Sequence, residues 1–192
     1  SMKNDEIVVS SPGRICLSGE HQDYFDLPII AAAINLRVKI SGKNNNKNQI
    51  RIDLPDVGET EEFSIGKELK YNKQRDYLKS TVNVLKRKGI TLPSGWDCLI
   101  KGTIPINSGT ASSSALVVAW IKFILEAVQN ERAGTAEILA EWGFEAEVAE
   151  FKEPGGKMDH YASSVGGIIM LYFGDTIKVK KLKNPLKEFV LA

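Results

Sequence analysis

The order of elements along the chain predicts an α+β fold, a mixed β-sheet with helices stacked on one face. Three observations carry that expectation. Segments rich in β-branched residues stand first and last, with helical periods between them. One helix is apolar almost all round its axis, a pattern that demands cover on every side. No repeat or low-complexity linker divides the 192 residues, and 43% hydrophobic content lets a chain of this length bury a sizeable core as one domain, or at most two small ones.

Residues 7–9 and 14–17 read as strands flanking a Ser-Pro-Gly kink, and β-branched density returns over 29–40 with Leu36, Val38 and Ile40 in alternation. Residues 44–48 form a polar turn, and 49–54 and 62–65 are further strands, which suggests an antiparallel meander. Residues 74–87 are an amphipathic helix with Leu78, Val82 and Leu85 on one stripe, a solvated charged face opposite, and Gly89 as its stop. A strand over 96–103 delivers the chain to a loop at Pro105. The all-round apolar helix follows over 112–129. Thr135 caps a third helix reaching about Phe151, Gly155-Gly156 breaks the chain, and a short helix begins near Lys157. Gly166-Gly167 then opens a strand pair, 168–173 and 176–182, joined at Gly174-Asp175.

Composition excludes several classes of function. The 25 basic and 24 acidic residues are well mixed and leave a formal charge of +1, so there is no basic footprint for nucleic acid or an anionic membrane. The most apolar run, 115–125, is interrupted by Lys122 and too short to span a bilayer, and no signal-peptide pattern opens the chain. A cytoplasmic protein is expected, with Ser1-Met2 read as a tag scar. Cys16 and Cys98 fit reduced core thiols better than a disulfide. The only histidines, His21 and His160, cannot form a multi-histidine zinc site, and His160 reads as a packing or hydrogen-bonding residue.

The most informative junction is Pro105–Ala115, PINSGTASSSA, which runs straight into LVVAWIKFIL. A loop so poor in side-chain bulk lets backbone N–H groups converge on one point. The first helical turn adds its own unpaired N–H groups and the positive end of its dipole. Phosphate would be held there, although serines at a helix start are also ordinary caps. No Gly-Lys-Ser or Gly-Lys-Thr follows, and Gly66-Lys67-Glu68 lacks the hydroxyl, so any nucleotide is held without a P-loop lysine.

Two further segments join this loop. Residues 11–34, SPGRICLSGEHQDYFDLPIIAAAI, concentrate Arg14, Glu20, His21, Asp23 and Tyr24 beyond an apolar strand, and residues 154–167, PGGKMDHYASSVGG, place Asp159 after a glycine pair. In this order the three segments resemble the galactokinase, homoserine kinase, mevalonate kinase and phosphomevalonate kinase (GHMP) superfamily, and GEHQDY most resembles its galactokinase branch. The resemblance implies a ribosomal protein S5 domain 2-like fold and transfer of the γ-phosphoryl of ATP to a small molecule. It implies Asp159 as the catalytic Asp, able to orient or deprotonate the acceptor hydroxyl, and Arg14 as its charged partner. Ser108, Gly109, Thr110, Ala111, Ser112, Ser113 and Ser114 would hold the ATP phosphates. Ser113 and Glu147 would face Mg²⁺. Glu20, His21, Asp23 and Tyr24 would meet the hydroxyls of a small sugar.

The chain also departs from that pattern. Asn107, Thr110 and Ala111 stand where the family usually has Gly, Leu and Gly or Ser, Asp26 replaces a common Gly, and His160 replaces a usual Gln. The expectation is therefore a GHMP kinase N-terminal domain over 1–192, with the C-terminal domain absent from this chain. It belongs to an ATP-dependent, galactokinase-like enzyme acting at an anomeric or primary hydroxyl, and the isolated fragment is inactive and prone to self-association. The alternatives are a silent sugar and nucleotide sensor, a kinase for a non-sugar such as mevalonate, and an RNA-binding module that this charge balance does not support.

Overall fold

The computed structural model of the chain describes residues 6–20, 27–104 and 111–183. Its strands are β1 (Ile7–Ser18), β2 (Ile29–Asn44), β3 (Gln49–Leu54), β4 (Glu59–Ser64), β5 (Trp96–Gly102), β6 (Ile168–Tyr172) and β7 (Lys178–Leu182). Its helices are α1 (Tyr77–Arg87), α2 (Ser112–Ala127), α3 (Ala136–Phe144) and α4 (Met158–Val165). The strands form one sheet in the order β4-β3-β5-β2-β6-β7, with β1 paired to β2. Only β3 and β5 run parallel; the other pairs are antiparallel. This is the α+β fold expected.

The long strand β2 organises the sheet. Its first residues, Ile29–Ala32, pair with β6, and its last, Val38–Asn44, pair with β5. Strand β1 lies along the other edge of β2 for most of its length. The two strands expected at 7–9 and 14–17 are one strand, with the Ser-Pro-Gly kink absorbed as a register shift between Pro12 and Arg14.

The antiparallel meander is overturned. Strand β5 inserts between β2 and β3 and pairs with β3 in parallel, because α1 carries the chain over the sheet before it returns. Gly95 makes the insertion sterically feasible. Its N–H donates to Lys47 O at 2.6 Å and its carbonyl accepts from Asn45 N at 3.0 Å. A Cβ there would lie 2.0 Å from the carbonyl oxygen of Gln49.

Helix α2 is the centre of the core, as its all-round apolarity requires. Trp120, Ile121, Phe123 and Leu125 are fully buried. Trp120 stacks on Phe123 with ring centroids 5.4 Å apart, Phe123 meets Trp96 edge-on at 5.4 Å, and Trp120 Nε1 donates to Leu78 O at 3.1 Å. A smaller cluster under α4 joins Ala31, Ala140, Tyr161, Ile169 and Leu171.

Three local expectations are also corrected. Thr135 precedes α3 but makes no side-chain capping bond, and α3 stops at Phe144 because the chain widens into a π-helical segment, Glu145–Ala149. The charged face of α1 is more than solvated: Arg87 bridges Glu150 at 2.7 Å and Glu68 at 2.5 Å, fixing α1 against the end of the π segment. Cys98 is a buried core thiol whose pKa burial pushes up to about 12, whereas Cys16 is only half-buried. Among the described residues no helix is long and apolar enough to cross a membrane.

Candidate functional site

The site forms where β1, the start of α2, the π segment and the first turn of α4 meet. Arg14 follows the register shift in β1, and its Nε donates to Asp159 Oδ1 at 2.6 Å across 145 residues of sequence. The Arg14 side chain is 12% exposed and that of Asp159 30%. A short, charge-assisted bond of this kind is geometrically specific, and the partial exposure leaves the carboxylate reachable from solvent.

One residue further along α4, His160 Nε2 lies 3.0 Å from Glu147 Oε2. The other oxygen of Glu147 accepts from the hydroxyls of Ser113 at 2.9 Å and Ser114 at 3.1 Å, both in the first turn of α2. Glu147 is therefore not a solvated acid; it is 9% exposed. Burial acts to raise its pKa, but the contact with His160 and then the hydroxyl bonds outweigh that and bring it below the ordinary glutamate value. The π segment accounts for the placement, since widening the helix by one residue re-aims side chains and such bulges recur at functional sites.

Ala111, just before α2, has a left-handed backbone, φ 59° and ψ 46°, and no polar side chain with which to cap the first turn. The leading N–H groups of a helix have no intrahelical partner, so this end suits an anion. The left-handed backbone also gives a cause for a Gly at this place, since a Cβ there costs about 1–2 kcal/mol. Ser112 and Ser113 are half-buried beside it.

The fold thus assembles Arg14, Asp159, Ser113, Ser114 and Glu147. Glu20 sits exposed in the turn after β1. His21, Asp23 and Tyr24, and Ser108, Gly109 and Thr110, lie outside the described residues. Sequence reasoning missed the junction role of His160, although its departure from the usual Gln was visible, and it missed Gly143, discussed below. Among the described residues no cluster of three or more His, Cys, Asp or Glu could hold a metal ion. The adjacent hydroxyl and carboxylate of Ser113 and Glu147 are instead the hard oxygen donors that suit a Mg²⁺ completed by phosphate oxygens and water.

Comparison with known proteins bears on the same residues. The GHMP kinases N terminal domain matches residues 76–167, and the galactokinase galactose-binding signature matches residues 2–43. A galactokinase of Actinobacillus succinogenes is 28% identical over 191 residues, covering 97% of this chain and 49% of the relative. A mevalonate kinase of Thermococcus sibiricus is 29% identical over 194 residues, covering 94% and 56%. In fold, the chain is similar to a galactokinase of Lactococcus lactis solved with galactose, with a TM-score of 0.81 and 24% identity over 93% of this chain and 48% of that one. The chain spans about half the length of these relatives.

Proposed function

Because the chain carries the GHMP kinase N-terminal domain together with a galactokinase galactose-binding signature, we propose that its full-length protein is an ATP-dependent sugar kinase. It phosphorylates a small sugar at the anomeric hydroxyl. The bond between Arg14 and Asp159 is the observation that carries this reading, since it joins two remote segments into one charged pair that remains reachable from solvent.

In this reading the sugar hydroxyl lies against Asp159, which orients it and accepts its proton as its oxygen bonds to the γ-phosphorus. The bond from that phosphorus to the β–γ bridging oxygen breaks and ADP leaves. Arg14 balances the charge of Asp159 and of the transferring group. The loop ending at Ala111 and the start of α2 cradle the phosphates through backbone N–H groups and the hydroxyls of Ser112 and Ser113. Ser113 and Glu147 would hold Mg²⁺, which when bound neutralises phosphate charge. Glu20, His21, Asp23 and Tyr24 receive the sugar, with carboxylates accepting bonds from its hydroxyls. A second domain supplies the opposite wall of the cleft, and without it this chain would be a poor catalyst that self-associates through the surface that domain would cover.

The similarity to mevalonate kinases makes mevalonate the second acceptor to test. A coupled ADP-release assay on the full-length protein across aldoses, mevalonate and homoserine decides between them. Turnover with an aldose is expected, and turnover with mevalonate alone would replace the sugar. Ser113→Ala and Glu147→Gln should each raise the Mg²⁺ concentration for half-maximal velocity by about 10-fold or more, because each removes an oxygen beside the metal. An unchanged Mg²⁺ requirement in both would remove them from the metal site.

A further inference from the structure

The kinase reading uses Asp159, Arg14, Ser113 and Glu147; it gives no part to His160, which is 1% exposed and touches Glu147. We infer that His160 is a positioning residue that fixes the Glu147 carboxylate toward the start of α2, and that Gly143 holds the space its ring needs. This inference rests on the kinase reading.

The geometry is closed around the imidazole. A carboxylate oxygen can only accept, so the 3.0 Å contact makes Nε2 the nitrogen that carries the proton. Nδ1 is buried without a hydrogen-bond partner, so the contact with Glu147 is the ring's hydrogen bond. The ring meets Phe144 edge-on with centroids 6.0 Å apart. The backbone of Gly143 comes so near that an added Cβ would stand 3.1 Å from His160 Cδ2 and 3.4 Å from Val118 Cγ2. Glycine is a poor helix former, and room for this ring explains its use in the last turn of α3.

The consequence concerns how the two halves of the site are joined. Consecutive residues of α4 hold one group each: Asp159 holds Arg14, and His160 holds Glu147. With His160 occupying Oε2, the bonds from Ser113 and Ser114 converge on Oε1. Without that donor, a buried oxygen of Glu147 is left unpaired and the carboxylate is free to turn away from Ser113.

Calorimetry of ADP binding to the full-length protein, with and without Mg²⁺, tests this apart from turnover. His160→Leu removes the donor, and His160→Gln restores one, since its amide nitrogen stands about where Nε2 does. The enhancement of ADP affinity by Mg²⁺ should fall about 10-fold or more in His160→Leu, and stay near wild type in His160→Gln, with metal-free ADP affinity unchanged in both. Should His160→Leu fail to fold, Gly143→Ala decides. It improves helix propensity but displaces the ring, so a stable protein with a several-fold weaker Mg²⁺ enhancement is expected. An enhancement that is unchanged in the variants, or an equal loss with and without metal, overturns the role of His160 alone. A wild-type protein whose ADP binding ignores Mg²⁺ overturns the kinase reading and this role with it.

Discussion

Replacing Asp159 by Asn in the full-length protein should cut turnover by about 10²–10⁴-fold while leaving the fold intact, the usual worth of a positioned general base. The substitution is close to isosteric. Its side-chain oxygen can still accept from Arg14 Nε, which in the native protein donates to Asp159 Oδ1 at 2.6 Å, so the remote segments stay joined. What disappears is the negative charge that Arg14 balances and the group that takes the hydroxyl proton. A coupled ADP-release assay gives the turnover, and a thermal melt on the same preparation gives the control for folding. Turnover within a few-fold of wild type would show that this carboxylate does not act on the acceptor.

Trp120→Ala should cost about 3–5 kcal/mol of stability, because it opens a cavity at the centre of the core and the helices around α2 can close it only in part. The side chain is fully buried, stacked on Phe123 and tied by its indole N–H to Leu78 O at 3.1 Å. A domain's whole stability is about 5–15 kcal/mol, so a loss of this size takes a large share of it. The melting temperature should fall by roughly 6–20 °C in a thermal circular dichroism scan. Trp120→Phe keeps the stack and loses only the hydrogen bond and some volume, so it should fall clearly less. Equal losses would place the effect in the hydrogen bond instead of the packing.

These two residues differ in how much of their role the sequence discloses. Trp120 lies in a segment with apolar residues on every face, and a helix of that kind has only one place in an α+β domain. Strand β3 is equally plain, because alternation over Gln49–Leu54 is a local property. The partner of β3 is not local. Nothing in the periods of 44–54 discloses that β5 enters between β2 and β3, and the clue, Gly95, has meaning only once the carbonyl of Gln49 is known to lie 2.0 Å from where a Cβ would be. The π segment is hidden for a similar reason. Residues 136–151 carry one helical pattern, and the widening at Glu145–Ala149 goes with tertiary bonds from Glu147 to α2 and α4.

The candidate site was legible as motifs and not as contacts. Arg14, Ser113 and Asp159 stand out because their three segments, in that order, resemble the GHMP kinases; composition alone leaves Arg14 readable as a strand-end surface residue. That Arg14 and Asp159 bond, and that Ser113 and Glu147 do, follows from packing β1, α2 and α4 together. His160 was read as a hydrogen-bonding residue, and the structure supplies the partner, Glu147. Gly143 was passed over because it lay inside a helix expected to reach about Phe151, where a single glycine is tolerated, and the ring that needs its space comes from α4.

Phosphorus NMR of the full-length protein with ATP, Mg²⁺ and galactose tests the central claim most directly, because it identifies the bond that forms. The account predicts that the γ-phosphorus signal is lost in step with the growth of ADP and of a sugar phosphate coupled to the anomeric proton. ATP that remains intact with every aldose offered, or that yields only inorganic phosphate, would contradict it.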